Sequence, residues 1–316
     1  MRILVTGASG FLGSWTVRAL AAAGHSVAAL SRTESPWRLR GVEGIERHAL
    51  EVAHWPDAIL ESGADVVMLL DWAGVAGSER NLASQMQNVA RQLPLITAAC
   101  TAGVTHIVAA GSQAEYGPRA HRTAEDAASA PVTEYGSAKV AALAQLREVA
   151  GSRDVNWVWA RVFSVYGPLD NEGLLLASIH DSLAAGHGID LSSGEQLWSY
   201  LYASDAGRAL ARLAEPDASG VYNVGHPAAP PLRDSIERFV GFTGFDGELR
   251  FGASGGMAVA NLEPDVARLE RLGWSAVVGL DDGLRLTAAW LAGEPVDDPF
   301  AVERMLPARP AAPETR

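Results

Sequence analysis

The sequence predicts a doubly wound α/β fold, a parallel sheet with helices on both faces, followed by a smaller lobe. Short apolar runs alternate with helix-length stretches through the first half of the chain. Those runs are almost continuously apolar, as strands covered on both faces must be. A glycine-rich turn joins the first run to the first helical stretch.

Taken in order, Arg2 to Thr6 reads as the first strand and Phe11 to Ala23 as the first helix, closed by Gly24. Val27 to Leu30 and Asp65 to Leu70 are further strands. A helix over Asn81 to Ala102 leads to a strand at His106 to Ala110. A helix over Thr133 to Ala150, closed by Gly151, precedes a strand at Val155 to Arg161. After Pro168 the rhythm loosens into shorter pieces, with helices near Gly173 to Ala185, Asp205 to Ala214, Leu232 to Phe242 and Asp281 to Trp290. The expected organisation is a nucleotide-binding region over residues 1–168 and a substrate lobe over 169–300 that shares its core. Residues 301–316, with Pro307, Pro310 and Pro313, read as a disordered tail.

Composition narrows the function classes. The 316 residues are 48% hydrophobic, enough for a large core, which excludes global disorder. A formal charge of −12 repels bare nucleic acid and anionic membranes, so any phosphate must meet a local site. The single cysteine, Cys100, excludes an intrachain disulfide and reads as apolar filler. The eight histidines show no paired ligand spacing, so no metal is expected, and Asp297-Asp298 reads as solvated charge. No stretch reaches the roughly 20 apolar residues of a membrane helix, and Ile3-Leu4-Val5 starts the fold without a leader; a reducing cytoplasm is the expected compartment.

Thr6-Gly7-Ala8-Ser9-Gly10-Phe11-Leu12-Gly13 follows the first strand and opens the first helix, the setting in which a glycine loop binds a dinucleotide. Gly7 makes the tight turn, Gly10 admits the pyrophosphate close to the backbone, and Gly13 lets helix and strand pack. The second strand ends in Ser31 and Arg32, where an NAD enzyme usually presents an acid to the ribose hydroxyls. A guanidinium there suits a 2′-phosphate, so NADPH is the expected cofactor, with Arg38 and Arg40 as nearby alternatives.

Tyr135 and Lys139 lie four apart at the start of a predicted helix and so share one face. A phenol becomes a useful acid or base near neutrality only when a cation stabilises its anion. Ser112 ends a preceding strand, and in a parallel sheet ligands bind at strand ends. Ser112, Tyr135 and Lys139 are therefore the candidate catalytic set.

These motifs together resemble the extended short-chain dehydrogenases, the nucleotide-sugar epimerase, dehydratase and reductase group, over roughly residues 1–292. Tyr116-Gly117-Pro118, the segment from Arg161 to Pro168 and Asp205 add to the resemblance. It implies a Rossmann-like fold and cofactor contacts from Gly7, Ser9, Gly10, Phe11, Leu12, Gly13, Ser31, Arg32, Tyr135, Lys139 and Val165. It further implies a nucleotide-sugar substrate and a homodimer built on the helices at 81–102 and 133–150. Gln113 and Ala114 stand where the 4,6-dehydratases carry Asp and Glu, so dehydration lacks its carboxylates. Ser164, Trp198-Ser199-Tyr200 and Asp71-Trp72-Ala73 depart from Asn, Arg-Asp-Phe and His-x-Ala, which changes the substrate pocket. The expected activity is NADPH-dependent reduction of an NDP-4-keto-6-deoxyhexose, a step of deoxysugar biosynthesis. A 4-epimerase retaining NAD is the alternative, and a non-catalytic NADPH sensor is a third reading.

Overall fold

The computed structural model describes residues 1–75, 77–254, 261–298 and 306. Seven parallel strands form the central sheet: β1 (Arg2–Thr6), β2 (Ser26–Ser31), β3 (Ile45–Ala49), β4 (Val66–Leu69), β5 (His106–Ser112), β6 (Asn156–Val162) and, after an excursion, Gly220–Val224. The strand order is β3-β2-β1-β4-β5-β6 with Gly220–Val224 at the far edge. The chain reverses its winding direction beside β1, and the C-terminal strand ends at that reversal form a natural crevice.

Alternation along the strands divides the core into two layers. Ile3, Val5, Val27, Ala29, Val66 and Met68 face one side, covered by Val17 and Leu20 of α1 (Phe11–Ala22). Leu4, Ala28, Leu30, Val67 and Leu69 face the other. There they meet Ile59 of α2 (Trp55–Glu61), Leu95 and Ile96 of α3 (Gln85–Thr101), and Ala142 and Leu146 of α4 (Glu134–Gly151). Each fully buried Leu or Ile contributes about 1.5–3 kcal/mol, which holds the sheet rigid beneath the crevice.

The second half supplies β7 (Ser164–Tyr166), α5 (Leu175–Ala184), β8 (Ile189–Leu191), β9 (Tyr200–Tyr202), α6 (Ala203–Leu213) and β10, the Gly220–Val224 strand. It continues through α7 (Leu232–Thr243), β11 (Leu249–Phe251), α8 (Ala267–Glu270) and α9 (Leu280–Leu291). Leu210 and Leu213 of α6 join the first core layer beside α1. Tyr166, Leu176, Ile179, Phe239, Leu284 and Trp290 form a separate core for the lobe.

Several expectations need correction. Strands β3 and β10 were not foreseen, because Ile45-Glu46-Arg47-His48-Ala49 is an edge strand with four exposed residues and Gly220–Val224 returns to the sheet only after the lobe. The helix expected from Asn81, α3, begins at Gln85; residues Gly77–Asn81 form a 3-10 turn instead. Gly24 does take the left-handed conformation, φ 80°, but Gly151 ends α4 as a helical residue and the positive φ falls on Asp154. Asp298 is not solvated: it is fully buried and accepts a 2.6 Å hydrogen bond from the Tyr202 hydroxyl, while Asp297 is exposed. Cys100 is half-buried against the second core layer. The expected tail lies outside the described residues except for Leu306, which packs into the lobe core.

Candidate active site

Ser112 is the last residue of β5 and caps a short 3-10 turn over Gln113–Glu115. Its Oγ accepts from the Ala114 amide at 3.2 Å, and its own amide donates to Glu115 Oε1 at 2.8 Å. Glu115 is fully buried and also accepts from Trp159 Nε1 at 2.8 Å and Arg161 Nε at 2.7 Å. This carboxylate therefore fixes the backbone that aims the serine. The Ser-x-x-Glu spacing of a capping box was the available signal for Glu115.

Tyr135 enters from α4, whose first turn is capped by Thr133 Oγ1 accepting from the Gly136 amide at 3.1 Å. Burial pushes the phenol above its ordinary pKa, while the neighbouring Ser112 hydroxyl and the positive charge of Arg80 pull it back down. Lys139 follows one turn later, 2% exposed, with Nζ donating to the Ala110 carbonyl at 2.6 Å. Burial pushes its ammonium down to about 7 against the opposing pull of Glu115 and Asp71. The indole of Trp72 lies beside both, its ring centroid 3.5 Å from Lys139 Nζ and 6.1 Å from the Tyr135 ring in an edge-on contact.

The glycine loop is shaped by sterics. Gly7 has φ 66°, and a Cβ there would sit 2.8 Å from the Asp71 backbone; a Cβ on Gly13 would sit 2.2 Å from the Gly7 carbonyl oxygen. Only hydrogen fits at either position. Gly10 caps α1 with no side-chain hydrogen bond, which leaves the helix N-terminal amides for an anion.

A cleft of about 690 Å³ runs from this loop to the Ser-Tyr-Lys set. Gly7, Ser9, Gly10, Phe11, Leu12, Gly13, Ser31, Arg32, Ser112, Tyr135, Lys139 and Val165 all line it. The fold thus brings the candidate catalytic residues and the candidate cofactor-contacting residues into one cleft. Arg32 is exposed at the mouth, whereas Arg38 is spent on the Leu169 carbonyl at 2.7 Å and Asn171 Oδ1 at 3.0 Å, and Arg40 does not line the cleft. The glycine cradle and the helix N-terminus together fit the pyrophosphate of an NAD(P)-type dinucleotide.

A second cavity of about 570 Å³ adjoins the first and is lined by Ser164, Trp198 and Tyr200 among others. Ser199, between the two aromatics, is buried and bridges the backbone of His226. Asp205 serves the fold: it is fully buried and accepts from the Val277 and Val278 amides and from Arg208. Tyr116 is likewise structural, its hydroxyl donating to Asn223 Oδ1 at 2.7 Å.

A family model described as NAD dependent epimerase/dehydratase family matches residues 3–225. The chain belongs to this family. The chain is similar to UDP-glucose 4-epimerase of Mycolicibacterium smegmatis, 29% identical over 307 residues, covering 91% of this chain and 97% of the relative. The 2′-dehydrokanamycin reductase of Streptomyces kanamyceticus is 30% identical over 231 residues, covering 70% of this chain and 60% of that one. The solved structure of MoeE5 in complex with UDP-glucose and NAD superposes with a TM-score of 0.81 at 25% identity, covering 92% of this chain and 99% of that one. The protein is thus an NAD(P)-dependent enzyme of the extended short-chain dehydrogenase type. No helix among the described residues is long and apolar enough to cross a membrane.

Proposed function

We propose that this family member reduces a ketone on a nucleotide-linked sugar with NADPH, the 4-keto group of an NDP-4-keto-6-deoxyhexose being the best-fitting substrate. One observation carries the reading: a single cleft has the Ser112-Tyr135-Lys139 set at one end and Arg32, in place of an acid, at the other. Bound there, NADPH supplies the hydride. The Ser112 hydroxyl donates to the carbonyl oxygen as negative charge builds, and the Tyr135 hydroxyl gives it a proton. Lys139 lies close enough to stabilise the phenolate left behind. Hydride and proton together convert the ketone to the alcohol. The adjoining cavity receives the remainder of the substrate, with Trp198 and Tyr200 offering flat apolar faces to sugar or base. A reductase among the relatives and UDP-glucose in a solved neighbour support this reading.

The 4-epimerase alternative draws on the Mycolicibacterium relative, which the alignment spans almost end to end. Both readings use the same three residues and differ in the fate of the cofactor. The deciding experiment incubates purified protein with dTDP-4-keto-6-deoxyglucose and NADPH and follows NADPH absorbance and product. Stoichiometric NADPH consumption, lost in Tyr135→Phe by about 10²–10⁴-fold, supports the reductase. Tightly bound NAD with interconversion of UDP-glucose and UDP-galactose, and no net NADPH consumption, replaces it with the epimerase.

A further inference from the structure

Arg80 belongs to the 3-10 turn Gly77–Asn81 that leads into α3, far in sequence from the catalytic residues. Its guanidinium carbon lies 4.5 Å from the centroid of the Tyr135 ring, over the face of the phenol. Arg80 lines both the cofactor cleft and the adjoining cavity, at their junction. Arg38 lines both as well but is bonded to Leu169 and Asn171. The Arg80 Nε, by contrast, is buried with no hydrogen-bond partner among the described residues. A buried donor without a partner is destabilising, a cost worth bearing where the charge has work to do.

We propose that Arg80 is a positioning residue for the reaction: its permanent charge lies against the Tyr135 ring so that the phenol can release and regain its proton. The inference rests on Tyr135 being the proton donor. Protonating the sugar alkoxide leaves a negative phenolate in a buried site, and a phenolate there needs a cation close by. The groups that face Tyr135 are the Ser112 hydroxyl, the Trp72 edge, the Lys139 ammonium 5.8 Å from the ring centroid, Arg80, and the buried Glu115 carboxylate. Glu115 opposes the phenolate; Lys139 and Arg80 favour it. Lys139 is a compromised cation, since burial brings its pKa to about 7. A guanidinium keeps its charge through the whole working range of pH. Arg80 therefore maintains a positive field at the phenol where Lys139 begins to lose its own.

The test reads the titration of Tyr135 directly and so does not depend on the identity of the sugar. Phenolate absorbance is followed against pH in protein saturated with NADP⁺, each form being paired with its Tyr135→Phe counterpart so that the difference isolates this tyrosine. Arg80→Gln and Arg80→Met, two neutral variants so that the comparison does not hang on one of them folding, should both raise the midpoint by on the order of one pH unit. Arg80→Lys, which keeps the charge, should stay near the wild-type midpoint. An unchanged midpoint in the neutral variants, or an equal rise in Arg80→Lys, overturns the role of Arg80. Near-normal NADPH-dependent turnover in Tyr135→Phe instead overturns the reading of Tyr135 on which the proposal stands.

Discussion

The ammonium of Lys139 rests on the indole of Trp72, Nζ lying 3.5 Å from the ring centroid. Trp72 is itself fixed by donating Nε1–H to Gln85 Oε1 at 2.8 Å. A desolvated cation–π contact contributes about 2 kcal/mol or more, and tryptophan makes the strongest one. Trp72→Leu should therefore lower NADPH-dependent turnover by about tenfold or more, and Trp72→Phe by less. Steady-state kinetics beside NADPH fluorescence titration checks this; equal activity in Trp72→Leu and wild type would show that the contact has no part in turnover.

Lys139 also ties stability to pH. Its pKa falls from 10.5 in the unfolded chain to about 7 when buried, so the unfolded state holds the proton more tightly. The folded protein carries the full penalty below about pH 7, and the penalty fades as pH rises toward 10.5. Lys139→Met removes the group. At neutral pH the variant should be more stable than wild type by on the order of a few kcal/mol, with the gap closing as pH rises. Urea unfolding of both proteins across that range measures it, and a gap that stays constant with pH contradicts the assignment.

Arg32 is the proposed determinant of the cofactor choice. Replacing it by Asp exchanges attraction for repulsion at the 2′-phosphate while leaving the glycine loop untouched. NADPH affinity should fall by about tenfold or more and NADH affinity should change little or rise. Binding titrations with both cofactors decide, and a wild-type preference for NADH removes NADPH from the proposed reaction.

The outer faces of α3 and α4 support the proposed homodimer. Met86 and Leu93 on α3 are 47% and 42% exposed, with Ala90 exposed between them at helical spacing. On α4, Ala144 and Arg147 are exposed and Val140 is half-buried, while Leu143 packs partly against the second core layer. The paired helices of a second copy would bury both stripes around a two-fold axis. Light scattering should give twice 33.3 kDa, and Leu93→Glu should shift the mass toward the monomer. Wild type at 33.3 kDa at micromolar concentration excludes the dimer.

Local pattern alone determined the alternation of strands and helices, the glycine loop and the Tyr135-Lys139 spacing. Each is governed by a short-range rule: apolar runs for buried strands, missing Cβ atoms for a tight turn, and a four-residue interval for one helix face. Strand β3 escaped because an exposed edge carries no apolar pattern, and β10 because the lobe separates it from the strands it joins. Tertiary structure alone decided what surrounds the reacting phenol. Trp72 against Lys139 and Arg80 over Tyr135 come from elements distant along the chain. Their effects depend on burial and on distances of a few ångströms. Electrostatic interaction in a desolvated site is strong but short in reach, and only the folded chain sets which charges fall within it.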